Sequence, residues 1–138
     1  MFVLDLSVEK WVGNKNEGYV IDNPNWIQIE TAIRELDGKS KTLVTLGADD
    51  DTYMSIGGGE FGKYIVTVTF DNINFQHLID STKPDQLEKL VVGGQQGTYP
   101  TQMCVDLNTV LLVAKTFAEL GKLELSVSWQ EEQSLVIV

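Results

Sequence analysis

The chain has 138 residues, 43% of them hydrophobic, and its 20 acidic and 10 basic side chains give a net charge of −10. That is enough apolar material for one domain with a modest core and too much for a disordered chain. The acids are spread evenly along the sequence, so the surface repels phosphate backbones; nucleic acid is excluded as an expected partner, and a basic protein is favoured.

Phe2 to Val8 alternates, with Phe2, Leu4 and Leu6 on one face and Asp5 and Ser7 on the other, which predicts a first strand. Trp11 to Asn23 is polar and turn-rich and predicts a loop. Asn25 offers a side-chain N-cap with Gln28 three residues on. Trp26, Ile29, Ile33 and Leu36 then recur at helical spacing, with Gly38 as the expected C-terminal stop. This puts Trp26 on the core face of the first helix. Thr42 to Leu46, Thr52 to Ile56 and Tyr64 to Phe70 read as three strands of an antiparallel meander, with turns at Asp49 to Asp51 and at Gly57 to Gly62. Tyr64, Val66, Val68 and Phe70 share one face of the last strand.

Phe75 to Ile79 has no decisive period, Lys83 to Gln86 is a polar loop, and Leu90 to Val92 is a short strand. Gly93 to Pro100 reads as a connection, and Gln102 to Val105 as a strand or the lead-in to a helix. Asp106 caps the second helix, in which Val110, Val113, Ala114, Phe117 and Leu120 form the buried stripe before Gly121 stops it. Leu123 to Trp129 alternates and predicts a final strand anchored by Trp129. No repeat or linker divides the chain. The expectation is one domain over residues 1–138, of α+β class: an antiparallel β-sheet with two main helices packed on one face.

Catalytic signatures are weak. Gly93 to Pro100 is glycine-rich but has neither the lysine nor the strand–loop–helix order of a phosphate loop. Gly57 to Gly59 lies between strands, whereas an anion site needs a helix N-terminus. His77 is the only histidine and Cys104 the only cysteine, so histidine-based and multi-thiolate zinc sites are excluded, and nothing flanking Cys104 marks an activated thiol. Asp49, Asp50 and Asp51 are followed by Tyr53, Met54 and Ile56, which breaks the register of a calcium loop; a solvated turn is the better reading. Any two of the acids could still meet in space as a hydrolytic pair. Trp11, in the loop, reads as the edge of a small core rather than as an interface anchor. No catalytic residue, metal or cofactor is expected. A single cysteine predicts a reducing compartment. No basic segment precedes an apolar run, and no stretch reaches membrane-spanning length. The expected location is the cytoplasm, away from membranes.

Gly93, Gly94, Tyr99, Pro100, Val105 and Asp106, the helix with Ala114 and Phe117 ending at Gly121, and Trp129 followed by acids form a pattern that resembles immunity protein family one of bacterial polymorphic-toxin and contact-dependent inhibition systems. The resemblance covers residues 40–132. The sequence departs from the family pattern in having Gln130 directly after Trp129, with acids only at Glu131 and Glu132, and no proline between Gly121 and Trp129. The resemblance implies a non-enzymatic inhibitor, monomeric or weakly dimeric. It would bind a cognate toxin domain, typically a nucleic-acid deaminase or nuclease, and block its active site or substrate surface. A basic toxin surface would be captured by an acidic one. Asp49, Asp50, Asp51 and Glu60, on meander turns, are the first candidates for toxin binding, and Glu131 and Glu132 the second. Trp26, Phe117 and Trp129 are structural. The competing readings are an acidic dimeric chaperone of the type III secretion kind, which would need a long N-terminal helix, and a small carboxylate-dependent hydrolase.

Overall fold

The alternation at the start of the chain forms a strand, β1 (Asp5–Glu9), that buries Leu6 and Val8. It begins later than the pattern suggests. In the computed structural model, which describes residues 1–132, the amides of Phe2 and Val3 both donate to the carbonyl of Ala118 instead of joining the sheet. This changes the phase: Val3 is buried, while Leu4 is 53% exposed. Positions 133–138, the end of the unit expected over 1–138, lie outside the described residues.

The loop expected over Trp11 to Asn23 is instead three short strands. β2 (Trp11–Val12) and β3 (Lys15–Asn16) form a small hairpin, and β4 (Tyr19–Asp22) pairs antiparallel with β1, setting Leu6 against Ile21. The polar composition belongs to an edge. β4 has a neighbour on one side only, and its Val20 is left 63% exposed. Helix α1 (Trp26–Arg34) follows, with both bonds of the predicted capping box in place: the Gln28 amide donates to Asn25 Oδ1 at 2.8 Å and the Asn25 amide to Gln28 Oε1 at 3.0 Å. It ends at Glu35, before Gly38. The Asp37 carboxylate turns the chain by accepting from the amides of Lys39, Ser40 and Lys41.

The meander is present as β5 (Leu43–Asp49), β6 (Thr52–Gly58) and β7 (Tyr64–Thr69), and Phe75 to Ile79 resolves as β8 (Phe75–Ile79). The alternating run near the end of the chain forms only a short strand, β11 (Ser128–Glu131). Ahead of it, the Glu124 carboxylate accepts from the Thr116 hydroxyl and the Ser126 amide, which holds the chain against the second helix and leaves Leu125 87% exposed. Trp129 is the predicted anchor: it packs on the core and donates Nε1 to the Glu124 carbonyl at 2.9 Å. The seven strands run in the order β11-β8-β7-β6-β5-β1-β4, every neighbouring pair antiparallel.

Residues directly opposed across such strands share a face. Leu6, Leu46, Met54 and Val68 form one buried row, and Val8, Val44, Ile56 and Val66 the next. Against them pack Ile29 and Ile33 of α1 and Val110, Val113, Ala114 and Phe117 of α2 (Leu107–Leu120). Phe117 is wholly buried at the centre, edge-on to Phe2 at 5.6 Å and tilted against Phe70 at 6.0 Å. Trp26 packs on the core only in part, with Lys115 Nζ 5.8 Å from its ring. Ala118 replaces Leu120 in the buried stripe. Leu120, in the last turn before the Gly121 cap, is 62% exposed because it falls at the margin of the stripe. The architecture is α+β, a large antiparallel sheet with two helices.

The stretch expected as a connection, Gly93 to Pro100, is mostly strand. β9 (Leu87–Val92) and β10 (Gln95–Pro100) form a hairpin around Gly93 and Gly94, at φ 61° and 78°. Two successive residues with positive φ are what a two-residue type I′ turn demands. The hairpin lies across the face of the sheet opposite the helices. Leu90 of β9 joins Ile65 and Cys104 in a second small core, and the Gly94 amide donates to Thr42 Oγ1 at 2.9 Å. Thr101 to Met103 makes one 3-10 turn, and Val105 bridges to Tyr64 before α2 begins.

Candidate functional site

The register of the sheet decides where the acids go. β1 starts, β4 ends, β5 ends, β6 starts and β7 ends at one end of the sheet, because the antiparallel ladders oppose Asp5 to Asp22, Asp5 to Gly47 and Tyr53 to Thr69. Gly47 in turn opposes Tyr53. Asp5 and Asp22 therefore face each other at that end. Next to them lies the Asp49 to Asp51 turn, exposed throughout, in which the Asp51 amide donates to Asp49 Oδ1. Asp71 sits in the following turn. Glu131 opposes Gln76 at the finish of β11, and the Glu132 amide donates to the carbonyl of Phe75. Of the predicted toxin-binding residues, the fold brings together Asp49, Asp50, Asp51, Glu131 and Glu132, and adds Asp5, Asp22 and Asp71. Glu60 is not among them. It lies in the 3-10 turn Glu60–Gly62 at the opposite end, against Gly38.

The turns of the acidic end carry no counter-charge of their own: 22–25, 49–51 and 70–74 contain no Lys or Arg. Among the described residues, none of Asp5, Asp22, Asp49, Asp50, Asp51 and Asp71 is ion-paired. The Lys and Arg ion pairs, Lys15 with Glu17, Arg34 with Glu30, Lys41 with Glu35 and Lys63 with Glu88, involve none of these acids. The local structure is tightly held all the same. The Asp71 carboxylate accepts from the Asn74 and Ile73 amides and from the Asn74 side chain, and these bonds, led by the Asn74 amide, pull its pKa down to about 2.

The groups with catalytic chemistry are held in other roles. Cys104 is wholly buried with Ile65 and Leu90, its thiol directed at the Pro100 carbonyl. Burial first, and the neighbouring Glu88 carboxylate second, push its pKa up to about 11. His77 has other partners: Nδ1 lies 3.0 Å from Thr67 Oγ1 and Nε2 3.3 Å from Glu132 Oε1. A cleft of about 250 Å³ between the end of β8 and the start of α2 is lined by hydroxyls, apolar groups and a single acid, Asp80, whose carboxylate is already engaged by the Thr82 hydroxyl and amide. Among the described residues, no three of His, Cys, Asp and Glu come together as metal ligands. No helix of these residues is long and apolar enough to cross a membrane. Trp11 closes an edge: its indole packs on Gly94 at the tip of the β9–β10 hairpin.

The clustering of acids escaped the sequence because it depends on strand register, and its one advance signal was a strand-forming run, aromatic Tyr19 with β-branched Val20 and Ile21, that carries Asp22 to the sheet end. The long N-terminal helix of a secretion chaperone is absent from the described residues: a strand stands first, and α1 has nine residues. No curated protein and no solved structure matches the chain. The model of the family described as immunity protein Imm1 matches residues 17–131, and so extends beyond the C-terminal pattern to include β4 and α1. A match over that much of the chain shows that the protein belongs to the Imm1 immunity protein family.

Proposed function

We propose that this protein neutralises a cognate toxin domain by pressing its acidic sheet end against a basic, nucleic-acid-binding surface of the toxin, a deaminase or nuclease, so that the toxin's active site or substrate path is occluded. Family membership supplies the immunity role and implies the toxin. The observation that supports this mode of binding is local: six aspartates without an ion pair among the described residues, Asp5, Asp22, Asp49, Asp50, Asp51 and Asp71, gather at one end of the sheet, whose turns carry no Lys or Arg. Long-range attraction of this kind speeds capture and opposes the toxin's own substrate, which carries the same sign of charge. No titrating nucleophile is needed, in keeping with the buried Cys104 and the single histidine. The protein acts as a monomer or weak dimer in the cytoplasm.

The test is co-expression with the toxin domain encoded beside it, followed by association kinetics of the purified pair. Protection and binding are expected. Reversing Asp49, Asp50 and Asp51 to Lys should slow association roughly tenfold at low salt and flatten its salt dependence. Glu60→Lys, at the opposite end, should leave both unchanged. Absence of protection and binding would sink the immunity reading for this pair, and equal effects of the two charge changes would sink the assignment to the acidic end.

A further inference from the structure

The face of the sheet opposite the helices is only half covered. The β9–β10 hairpin lies over the end that holds Leu43 and Ile65: Leu90 packs on Ile65, and the hairpin tip at Gly93 approaches Leu43 and Glu9. Beyond it, toward the acidic end, the 70–74 turn folds back on Thr69 and buries it, its Oγ1 donating to the Asn74 carbonyl at 2.7 Å, while the row between the hairpin and that turn stays partly exposed. The first uncovered row runs straight across five of them, because Ser7 opposes Thr45, Thr45 opposes Ser55, Ser55 opposes Thr67, and Thr67 opposes His77. All five are partly exposed. Four gaps between strands make this row about 19 Å long. The next row brings Tyr53 and Phe75 either side of Thr69, and Asp5 beside Gly47. Gly47 leaves the floor open for the Asp5 carboxylate, which lies so close that a Cβ on Gly47 would be 2.5 Å from Asp5 Oδ1.

From this juxtaposition we infer that the uncovered half-face, floored by the Ser7–Thr45–Ser55–Thr67–His77 row and rimmed by Asp5 and Asp22, is the seat for a basic, arginine- or lysine-bearing segment of the toxin domain. The inference rests on the immunity reading and deepens it. Chemistry selects the occupant. The floor is four hydroxyls and an imidazole, with Val20 opposite Ser7 at the β4 margin, and it offers an apolar helix far less to bury than the face on which the protein's own helices pack. The strand residues of this face include no Lys or Arg. Hydroxyls accept from ammonium and guanidinium groups, two carboxylates stand at the rim, and the Tyr53 and Phe75 rings offer faces on which a guanidinium can stack. The hairpin forms a wall at the far end and limits how far such a segment can extend.

The test uses the buried Cys104 as a silent background. Ser55→Cys is nearly isosteric and sets one reactive thiol in the middle of the floor; Leu112→Cys, on the outer surface of α2, is the control. Each full-length variant is labelled with a maleimide, alone and after the toxin domain has been shown to bind it. Expected is at least a tenfold slowing of Ser55→Cys labelling in the complex, with Leu112→Cys unchanged. A complex that forms and leaves Ser55→Cys as reactive as before overturns this inference and spares the immunity reading. Failure of both variants and the parent to bind removes the reading, and the inference with it. As a second measurement, Ser55→Arg, checked for folding by circular dichroism, should weaken the complex at least thirtyfold, whereas an unchanged affinity overturns the seat.

Discussion

The seating of the β9–β10 hairpin, which decides how much of the sheet face stays open, turns on one glycine. Gly94 has φ +78°, and a Cβ placed on it would lie 2.4 Å from Trp11 Cε2 and 2.7 Å from Nε1, far inside the ~3.5–4 Å at which such atoms pack. Gly94→Ala therefore carries two costs. The left-handed backbone costs an alanine about 1–2 kcal/mol. Relieving the contact means displacing the indole or the hairpin tip, an overpacking cost of about 1–3 kcal/mol. The sum is about 2–5 kcal/mol, a large share of the ~5–15 kcal/mol that holds a domain folded. Gly13→Ala is the built-in control: φ is +63°, but nothing lies within 4 Å, so only the backbone cost applies. Urea unfolding followed by tryptophan fluorescence should rank Gly94→Ala below Gly13→Ala by about 1–3 kcal/mol at similar m-values. Placing Gly94→Ala in a Trp11→Ala background should remove the excess. Equal losses at the two glycines, or an excess that persists without the indole, would show that Trp11 is not seated on the hairpin.

Two further outcomes follow from the electrostatics. Because burial holds the Cys104 thiol up to about 11, a thiol reagent at pH 8 should leave the folded protein unmodified and react fully in denaturant; rapid reaction of the folded protein would refute the packing of the second core. Asp71, whose pKa is depressed to about 2 by the Asn74 amide, the Ile73 amide and then the Asn74 side chain, stabilises the fold when ionised. Its contribution is fully present above its unfolded value near 4 and is lost as pH falls toward 2. The stability gap between the parent and Asp71→Asn should therefore be widest above pH 4 and close toward pH 2, and a gap independent of pH would contradict the bonding described.

The elements whose information is local were legible in the sequence. The capping box at Asn25 and Gln28, the Asp106 cap, the Gly121 stop and the three-stranded meander each write their geometry within a few residues. The elements that depend on distant partners were not. β4 is an edge strand whose pairing with β1 crosses the β2–β3 hairpin, and its Tyr19-Val20-Ile21 run was masked by flanking Gly18 and Asp22. β10 is polar in sequence, and only the Gly93–Gly94 pair between two runs signalled a hairpin. At the N-terminus, the pull of the Ala118 carbonyl on Phe2 and Val3 reversed an alternation that read as a longer strand. The same limit applies to the candidate site. Asp49 to Asp51 stood out as a run, but Asp5 and Asp22 are separated by most of the N-terminal segment and meet only through register, while Glu60, on a turn of the same meander, is carried to the other end.

Acids distributed evenly along a chain would ordinarily fold into an evenly acidic surface. Here the antiparallel order concentrates them, and the arrangement has a cost. Like charges directly opposed across strands destabilise a sheet by about 0.2–1 kcal/mol, and Asp5 and Asp22 are such a pair, neither of them ion-paired among the described residues. Asp22→Asn keeps the size of the side chain and removes one charge, so it should raise stability by about that amount at low salt, with the gain shrinking as ionic strength rises past the point where the Debye length falls below ~8–10 Å. The same variant should associate more slowly with a basic toxin. A gain in stability coupled to a loss in capture rate would mean that the repulsion is retained because binding uses it. If Asp22→Asn instead destabilises the protein at every salt concentration, the carboxylate has a structural role in the sheet, and the acidic end loses one of the groups assigned to the rim of the binding face.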